Sequence, residues 1–153
     1  MTTIRPALPA DVPQLIAMMR ELARFEGYLD HFRVTEDELA IRAFGPRPQC
    51  HILVAGGKTI SAYAVWLITP FTYDLRPTVT LKELYVAPKQ RGNGTASALL
   101  DRLREEAQHI GAGRIQWLVL PSNDAAKRLY KGFGGDIDRY WEHWQAPMPA
   151  ADL

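Results

Sequence analysis

The chain has 153 residues, about the length of one ordinary domain, and 47% of them are hydrophobic, enough to fill a single core. Its 18 Lys and Arg nearly balance 17 Asp and Glu, so it lacks the basic excess that nonspecific binding to nucleic acid or to a membrane surface requires. The single cysteine, Cys50, excludes an internal disulfide and indicates a reducing compartment. We therefore expect one domain over residues 1–153, located in the cytoplasm, with neither nucleic acid nor membrane as a partner.

Two helices are predicted near the start of the chain. Asp11 and Gln14 form a capping-box pattern, after which apolar residues recur at helical spacing. Thr35 and Glu38 repeat that pattern before a shorter helix, which a segment rich in glycine and proline ends. The first helix should be amphipathic, with its apolar side packed on the rest of the domain.

Three strands are predicted to follow these helices. Residues 51–55 and 59–69 are β-branched and apolar runs, and they are joined through Gly56 and Gly57. This glycine pair suits the positive φ angles of a tight hairpin turn. A third strand is predicted over residues 78–86, after a segment that begins and ends with proline.

The second half of the chain alternates helices and strands. An apolar stripe predicts a helix over residues 95–110, and the nearly continuous apolar run 114–120 predicts a strand inside the sheet. Asn123 is placed to cap a short helix that extends to Tyr130, and residues 138–145 resemble a last strand. The order ααβββαβαβ predicts one α+β, or mixed α/β, domain.

Residues 91–96, Arg-Gly-Asn-Gly-Thr-Ala, connect a predicted strand to a helix through a glycine turn. Glycines let the backbone approach an anion closely, and the first N–H groups of a helix lack partners within that helix. Arg91 adds a positive charge. The segment therefore suits a phosphate, although Asn93–Gly94 is also a dipeptide common in ordinary turns.

This segment resembles the R/Q-x-x-G-x-G/A signature of GNAT acetyltransferases, which wraps the pyrophosphate of CoA. Asn123, Ala126 and Tyr130 match the second signature of that family, after the next predicted strand. The chain is also similar to the diamine (spermidine/spermine, thialysine) acetyltransferase branch at Ile4–Ala7, Glu21–Glu26, Thr35–Glu36, Phe44–Gly45, Leu53–Ala55 and Phe71–Asp74. The resemblance covers residues 4–135 and implies a GNAT fold, a central and mostly antiparallel mixed sheet flanked by helices.

The resemblance further implies an N-acetyltransferase that moves acetyl from acetyl-CoA to a primary amine by direct attack. The CoA-binding residues that it implies are Leu84, Tyr85, Val86, Arg91, Gly92, Asn93, Gly94, Thr95, Ala96 and Asn123. Tyr130 would protonate the departing thiolate, because a phenol with a pKa of about 10 is a competent donor at neutral pH. Ordinary packing of its ring on the sheet is the alternative, and capping by Asn123 is compatible with CoA contact.

The residues that would bind the acceptor differ in charge from those of the diamine branch. Glu83 is the candidate base for an amine that arrives as ammonium, but Lys82 replaces the first of two adjacent acids in the diamine branch. Glu26 and Asp74 match positions that hold the cationic substrate in that branch, whereas Arg76 replaces an aromatic residue. Lys82 is a further candidate substrate contact. This mixture of positive and negative side chains favours an amino-acid-like amine such as thialysine over a polyamine. The alternative for Glu26 is an ordinary solvated charge at a helix end.

Three further expectations complete the interpretation. The four histidines show no metal-ligand spacing, so no metal is expected. The branch implies a homodimer, with Tyr140, Trp141 and Trp144 as candidate interface residues unless these rings face the core. The substitution at Lys82 leaves one alternative function, a non-catalytic module that binds acetyl-CoA.

Overall fold

The computed structural model describes residues 2–150, so Met1 and residues 151–153 of the predicted domain lie outside the described part. The strands are β1 (Ile4–Pro6), β2 (His51–Gly56), β3 (Ile60–Thr69), β4 (Thr78–Val86) and β5 (Arg114–Trp117). The α-helices are α1 (Val12–Glu26), α2 (Glu36–Phe44), α3 (Thr95–His109) and α4 (Asp124–Gly132). The predicted helices and the first three predicted strands are therefore present within one or two residues at most boundaries.

The five strands form one sheet in the order β1-β2-β3-β4-β5. The first three pairings are antiparallel, whereas β4 and β5 are parallel. A parallel pair needs a crossover, and α3 supplies it between β4 and β5. The predicted α+β fold with a mostly antiparallel mixed sheet is confirmed.

Helices cover both faces of this sheet. Leu15 and Leu22 of α1 pack with Tyr63 of β3 on one face, whereas Leu99 and Leu103 of α3 pack on the other face. All five of these side chains are at most 6% exposed. Side chains alternate between the faces of a strand, so β2, β3 and β4 each contribute to both cores.

The edges of the sheet differ from the prediction. β1 is absent from the predicted order because three residues that end in proline are too short to give a period-two pattern. Residues 138–145 were predicted as a strand, but within the described chain they pair with no strand, and Tyr140 and Trp141 are 93% and 80% exposed. Unpaired backbone gains nothing from an extended conformation. Consequently β5, which was expected inside the sheet, is its edge strand.

The capping predictions have opposite outcomes. The predicted box at the start of α1 is wrong, because the buried Asp11 carboxylate accepts hydrogen bonds from the Arg5 guanidinium at 2.8 and 3.0 Å. Gln14 instead bonds to main-chain groups of the β2–β3 turn. At α2, Oγ1 of Thr35 accepts from the N–H of Glu38 at 3.1 Å, as predicted.

Candidate active site

Strands β4 and β5 diverge at one edge of the sheet. They pair only where Thr78–Leu81 lies opposite Arg114–Trp117. β5 ends at Trp117 rather than at the predicted Leu120, whereas β4 continues to Val86. Beyond Leu81, therefore, no strand of the described chain pairs with this side of β4, and a cleft of about 510 Å³ occupies the gap.

A β-bulge at Lys82 determines which side chains of β4 face each side of the sheet. Val65 lies opposite Glu83, but Trp66 lies opposite Leu81, so Lys82 is the extra residue. Leu81 and Leu84 consequently both pack toward α3, and Glu83 shares the α1 face with Tyr63, to which it is hydrogen bonded. Without the bulge, the alternation of the strand would direct Glu83 to the other face.

Most of the predicted site residues lie in this one cleft. Those that line it are Glu26, Lys82, Glu83, Leu84, Tyr85, Val86, Arg91, Gly92, Gly94, Thr95, Ala96, Asn123 and Tyr130. Asn93 is exposed and lies outside the lining set. The cleft thus joins the end of α1, the bulged half of β4, the glycine turn and α4.

The glycine turn places the N-terminus of α3 at the cleft. Gly92 and Gly94 have φ angles of 82° and 78°, a left-handed conformation that favours glycine. Among the described residues no side chain caps α3, so its first N–H groups remain available to an anion. Arg91 folds back toward β4: its Nε donates to the carbonyl of Val86 at 2.9 Å, and its guanidinium lies 5.7 Å from the centre of the Tyr85 ring.

Helix α4 forms the opposite wall of the cleft. Oδ1 of Asn123 accepts from the N–H of Ala126 at 3.1 Å and so caps this helix, as predicted. Two residues before the end of α4, Tyr130 packs on Trp117 with ring centroids 4.9 Å apart. The phenol is therefore held between the end of β5 and the cleft.

Glu83 combines partial burial with a hydrogen bond. Burial raises the pKa of Glu83, and the neighbouring negative charge of Glu26 acts in the same direction. The hydroxyl of Tyr63 donates to Oε1 of Glu83 at 2.9 Å and, together with the positive charge of Lys82, opposes that rise. A carboxylate with a raised pKa is a better proton acceptor than an ordinary exposed one, which suits Glu83 to general-base chemistry.

Tyr130 and Glu26 belong to the same electrostatic environment. Burial, together with the charge of Glu26, raises the pKa of Tyr130 to about 12. Burial also raises the pKa of Glu26 itself. The phenol is therefore protonated throughout the neutral range and is a permanent hydrogen-bond donor. The cleft thus holds a proton acceptor and a proton donor between its two walls.

Asp74 does not take part in this arrangement. Its carboxylate accepts hydrogen bonds from Thr72, from the N–H of Arg76 and from Arg114, at 2.8, 3.1 and 3.0 Å. These contacts fix the loop between β3 and β4, and Asp74 lies outside the residues that line the cleft. Arg76 is likewise used by this loop region, where it donates to the carbonyl of Ala112. The predicted substrate contact of Asp74 is therefore not part of the cleft of this chain.

Several residues of the site escaped the sequence prediction. Tyr63 bonds to Glu83 across 20 positions of sequence, and the bulge that brings them to one face leaves no signal in the residue pattern. Trp117 appeared only as part of an apolar run, although it packs on Tyr130. Phe25, 63% exposed at the cleft, could have been found as an aromatic next to the predicted Glu26.

Comparison with known proteins is consistent with this geometry. Residues 15–134 match the acetyltransferase (GNAT) family. The chain is 31% identical over 152 residues to a thialysine N-epsilon-acetyltransferase of Sus scrofa, and 30% identical to the Mus musculus enzyme of the same name; each comparison covers 94% of this chain and 89% of the relative. A solved aminoglycoside acetyltransferase from an uncultured soil metagenomic sample, in complex with sisomicin, shares the fold, with a TM-score of 0.80 over 97% of both chains at 13% identity.

The split sheet, the glycine turn and the family match define an acetyltransferase. The chain belongs to the GNAT family, as the sequence resemblance predicted. Within residues 2–150, no helix is both long and apolar enough to cross a membrane. The same residues contain no group of three or more His, Cys, Asp or Glu side chains that could hold a metal ion.

Proposed function

We propose that this acetyltransferase transfers the acetyl group of acetyl-CoA to the primary amine of a small amino-acid-like molecule. One observation carries the proposal: the unpaired edge of β4, the uncapped start of α3 and the partly buried Glu26 and Glu83 all line a single cleft. A di- or polyamine is the second acceptor class, since a relative of this chain is named for spermidine and spermine.

The α3 side of the cleft fits the cosubstrate. The main chain of Leu84–Val86 would bond to the amide groups of the pantetheine arm, as an added strand does. The N–H groups at the start of α3 and the charge of Arg91 would bind the pyrophosphate. Asn123 lines the wall that faces this edge and would contact the arm near its end.

The α1 side of the cleft fits a charged acceptor. The carboxylates of Glu26 and Glu83 would attract its ammonium group, and Lys82, which is exposed at the bulge, would bind a carboxylate. Thialysine carries both groups, and the Sus scrofa and Mus musculus relatives of this chain are named for it. A polyamine carries no carboxylate and would be repelled by Lys82.

The proposed reaction needs no acyl-enzyme. Glu83 takes a proton from the ammonium, and the amine nitrogen then attacks the thioester carbonyl to form a tetrahedral intermediate. As this intermediate collapses, the C–N bond of the amide remains and the C–S bond breaks. The new amide nitrogen loses its second proton to solvent, and Glu83 also releases to solvent the proton that it took. Tyr130 protonates the thiolate and is reprotonated from solvent, so one proton is released per turnover. Acid and base roles thus fall on two side chains that line one cleft.

The test is release of CoA from acetyl-CoA with thialysine, lysine, spermidine, an aminoglycoside and a peptide N-terminus as acceptors. We expect the highest kcat/KM for thialysine or lysine, and a kcat about 100-fold lower in Tyr130→Phe with unchanged acetyl-CoA affinity. Tyr73→Phe, at a 92% exposed tyrosine outside the cleft, is the matched control. A preference for spermidine would overturn the acceptor class, and full activity of Tyr130→Phe would overturn the role of this phenol.

We further propose that the protein acts in the cytoplasm as a homodimer of single-domain subunits. Tyr140, Trp141 and Trp144 support the dimer, because they are at least 80% exposed and aromatic residues are enriched at interfaces. Light scattering should give twice the subunit mass, and Trp141→Ser with Trp144→Ser should reduce it. A monomeric wild-type protein at micromolar concentration would reject the dimer.

A further inference from the structure

The hydroxyl of Tyr63 is a buried polar group without a role in the proposed reaction, and it bonds to Glu83, which lines the cleft. The Tyr63 side chain is 0% exposed, and its hydroxyl donates to Oε1 of Glu83 at 2.9 Å. A phenylalanine would fill the same space with the same ring, so packing does not explain the hydroxyl. A buried hydroxyl also requires a partner, since leaving one unsatisfied is costly.

The positions of the two side chains make this bond directional. Tyr63 lies opposite Tyr85, and Val65 lies opposite Glu83, so Tyr63 and Glu83 are diagonal neighbours across β3 and β4. The phenol ring has only two side-chain torsions and is held in the core formed with α1, whereas the carboxylate of Glu83 has three. The rigid partner therefore fixes the flexible one.

The proton of this hydroxyl stays on Tyr63. Burial raises the pKa of Tyr63 far above its ordinary value, and the charge of Glu83 raises it further. The group is therefore a donor at every pH at which the enzyme could work. Since Oε1 of Glu83 accepts the hydrogen bond from Tyr63, Oε2 is the oxygen that would take the proton from the acceptor ammonium.

We propose that Tyr63 is a positioning residue for the reaction: its hydroxyl holds the Glu83 carboxylate in one orientation and stabilises the charged form that accepts the proton of the amine. This inference rests on the proposed function of Glu83 as the base. It assigns the orientation of the base to β3, a strand with no residue in the lining of the cleft.

Other charged and titratable groups act on Glu83 from each neighbouring element. Glu26 at the end of α1 opposes its ionisation, and Lys82 on β4 favours it. Tyr28, after α1, and Cys50, before β2, also interact with its charge, and the pKa of each is raised by burial and then by Glu83. Tyr63 differs from all four because it makes the hydrogen bond.

The experiment compares kcat/KM for the amine across the neutral pH range in the wild type, Tyr63→Phe, Glu83→Gln and the Tyr73→Phe control. In Tyr63→Phe we expect the acidic limb of the profile to move up by about one pH unit, with kcat/KM on that limb about tenfold lower. Affinity for acetyl-CoA should stay within about twofold, because Tyr63 does not line the cleft and its hydroxyl bonds to Glu83, on the acceptor side. Tyr73→Phe should match the wild type.

Three outcomes would overturn the inference about Tyr63. An unmoved acidic limb in Tyr63→Phe, with that limb absent in Glu83→Gln, would show that Glu83 is the base and that Tyr63 does not tune it. An equal loss at every pH, accompanied by weaker binding of acetyl-CoA, would indicate a merely structural role. If the pH profile of Glu83→Gln kept the acidic limb of the wild type, Glu83 would not be the base, and the inference about Tyr63 would be rejected with it.

Discussion

Replacing Gly135 by alanine tests how the candidate acid Tyr130 is held. A Cβ atom at Gly135 would lie 2.5 Å from Cζ2 of Trp117, about 0.9 Å short of the 3.4 Å at which ordinary contact begins, and 3.1 Å from the carbonyl oxygen of Tyr130. The Trp117 ring lies 4.9 Å from the Tyr130 ring and 6.1 Å from that of Phe133, measured between centroids. The tryptophan therefore moves only by displacing its aromatic neighbours.

The structure sets the size of the expected effect. Overpacking of this kind costs about 1–3 kcal/mol, and each kcal/mol lowers the Tm of a chain of this length by about 2–4 °C. Gly135 is not among the glycines with positive φ, so backbone strain adds nothing. A displacement of Tyr130 approaching 1 Å would lower kcat by up to about 100-fold.

Thermal unfolding and kcat at saturating substrate are measured together, with Gly132→Ala as the control. Gly132 ends α4, its φ is not positive, and a Cβ atom there meets nothing within 4 Å. This control should be unchanged or more stable by about 0.5–1 kcal/mol, the advantage of alanine over glycine in a helix. If Gly135→Ala unfolds at the same temperature as the control and keeps its kcat, Trp117 does not brace Tyr130. Lower stability with full kcat would retain the packing argument and reject its catalytic consequence.

Four further predictions concern charge, capping and the glycine turn. Burial raises the pKa of Glu83 above its ordinary value of 4.5, so ionisation of this carboxyl at higher pH opposes folding. In thermal unfolding, Glu83→Gln should therefore raise Tm at neutral pH and give no gain at pH values below 4.5. The hydrogen bond from Arg5 lowers the pKa of Asp11 below 3.8, so the stabilisation from this pair is present above that value and is lost as the pH falls. Asp11→Ala should cost about 1–3 kcal/mol in denaturant unfolding near neutral pH, because Arg5 stays partly solvated and keeps its bonds to main-chain carbonyls. Removing the α4 cap in Asn123→Ala should cost about 1 kcal/mol by the same assay. Gly94→Ala, at a φ of 78°, should raise the Kd for acetyl-CoA in calorimetry severalfold, by about 1 kcal/mol; an unchanged Kd would place the pyrophosphate elsewhere.

Local patterns were sufficient for the elements that position the site. The strand 78–86 and the start of α3 at Thr95 are present where the sequence predicts them, because β-branched runs and a glycine turn before an apolar stripe are local signals. The caps at Thr35 and Asn123 are also local, since each side chain bonds to a backbone group three residues away.

The features that escaped prediction depend on contacts between distant parts of the chain. The ion pair of Arg5 with Asp11 overrides a capping pattern, and the bond between Tyr63 and Glu83 depends on a bulge that no residue type announces. Residues 138–145 carry the pattern of a strand, but in the described chain they pair with no strand, and pairing depends on contacts that a local pattern does not specify. Identity of residues at matching positions indicated Asp74 as a substrate contact, whereas Asp74 lies outside the cleft and accepts hydrogen bonds from its own loop and from Arg114 of β5.

The split between β4 and β5 also bears on how such an enzyme can change its preferences over generations. Peptide groups along Leu84–Val86 offer the same donors and acceptors whatever side chains they carry, so in the proposed binding mode mutation of these side chains would leave recognition of the cosubstrate largely unchanged. The acceptor, by contrast, would meet the side chains of Phe25, Glu26 and Lys82, which are accessible enough to be exchanged without rebuilding a core. New acceptors can therefore be explored at that wall, by selection or by an engineer, while the donor half of the reaction is preserved.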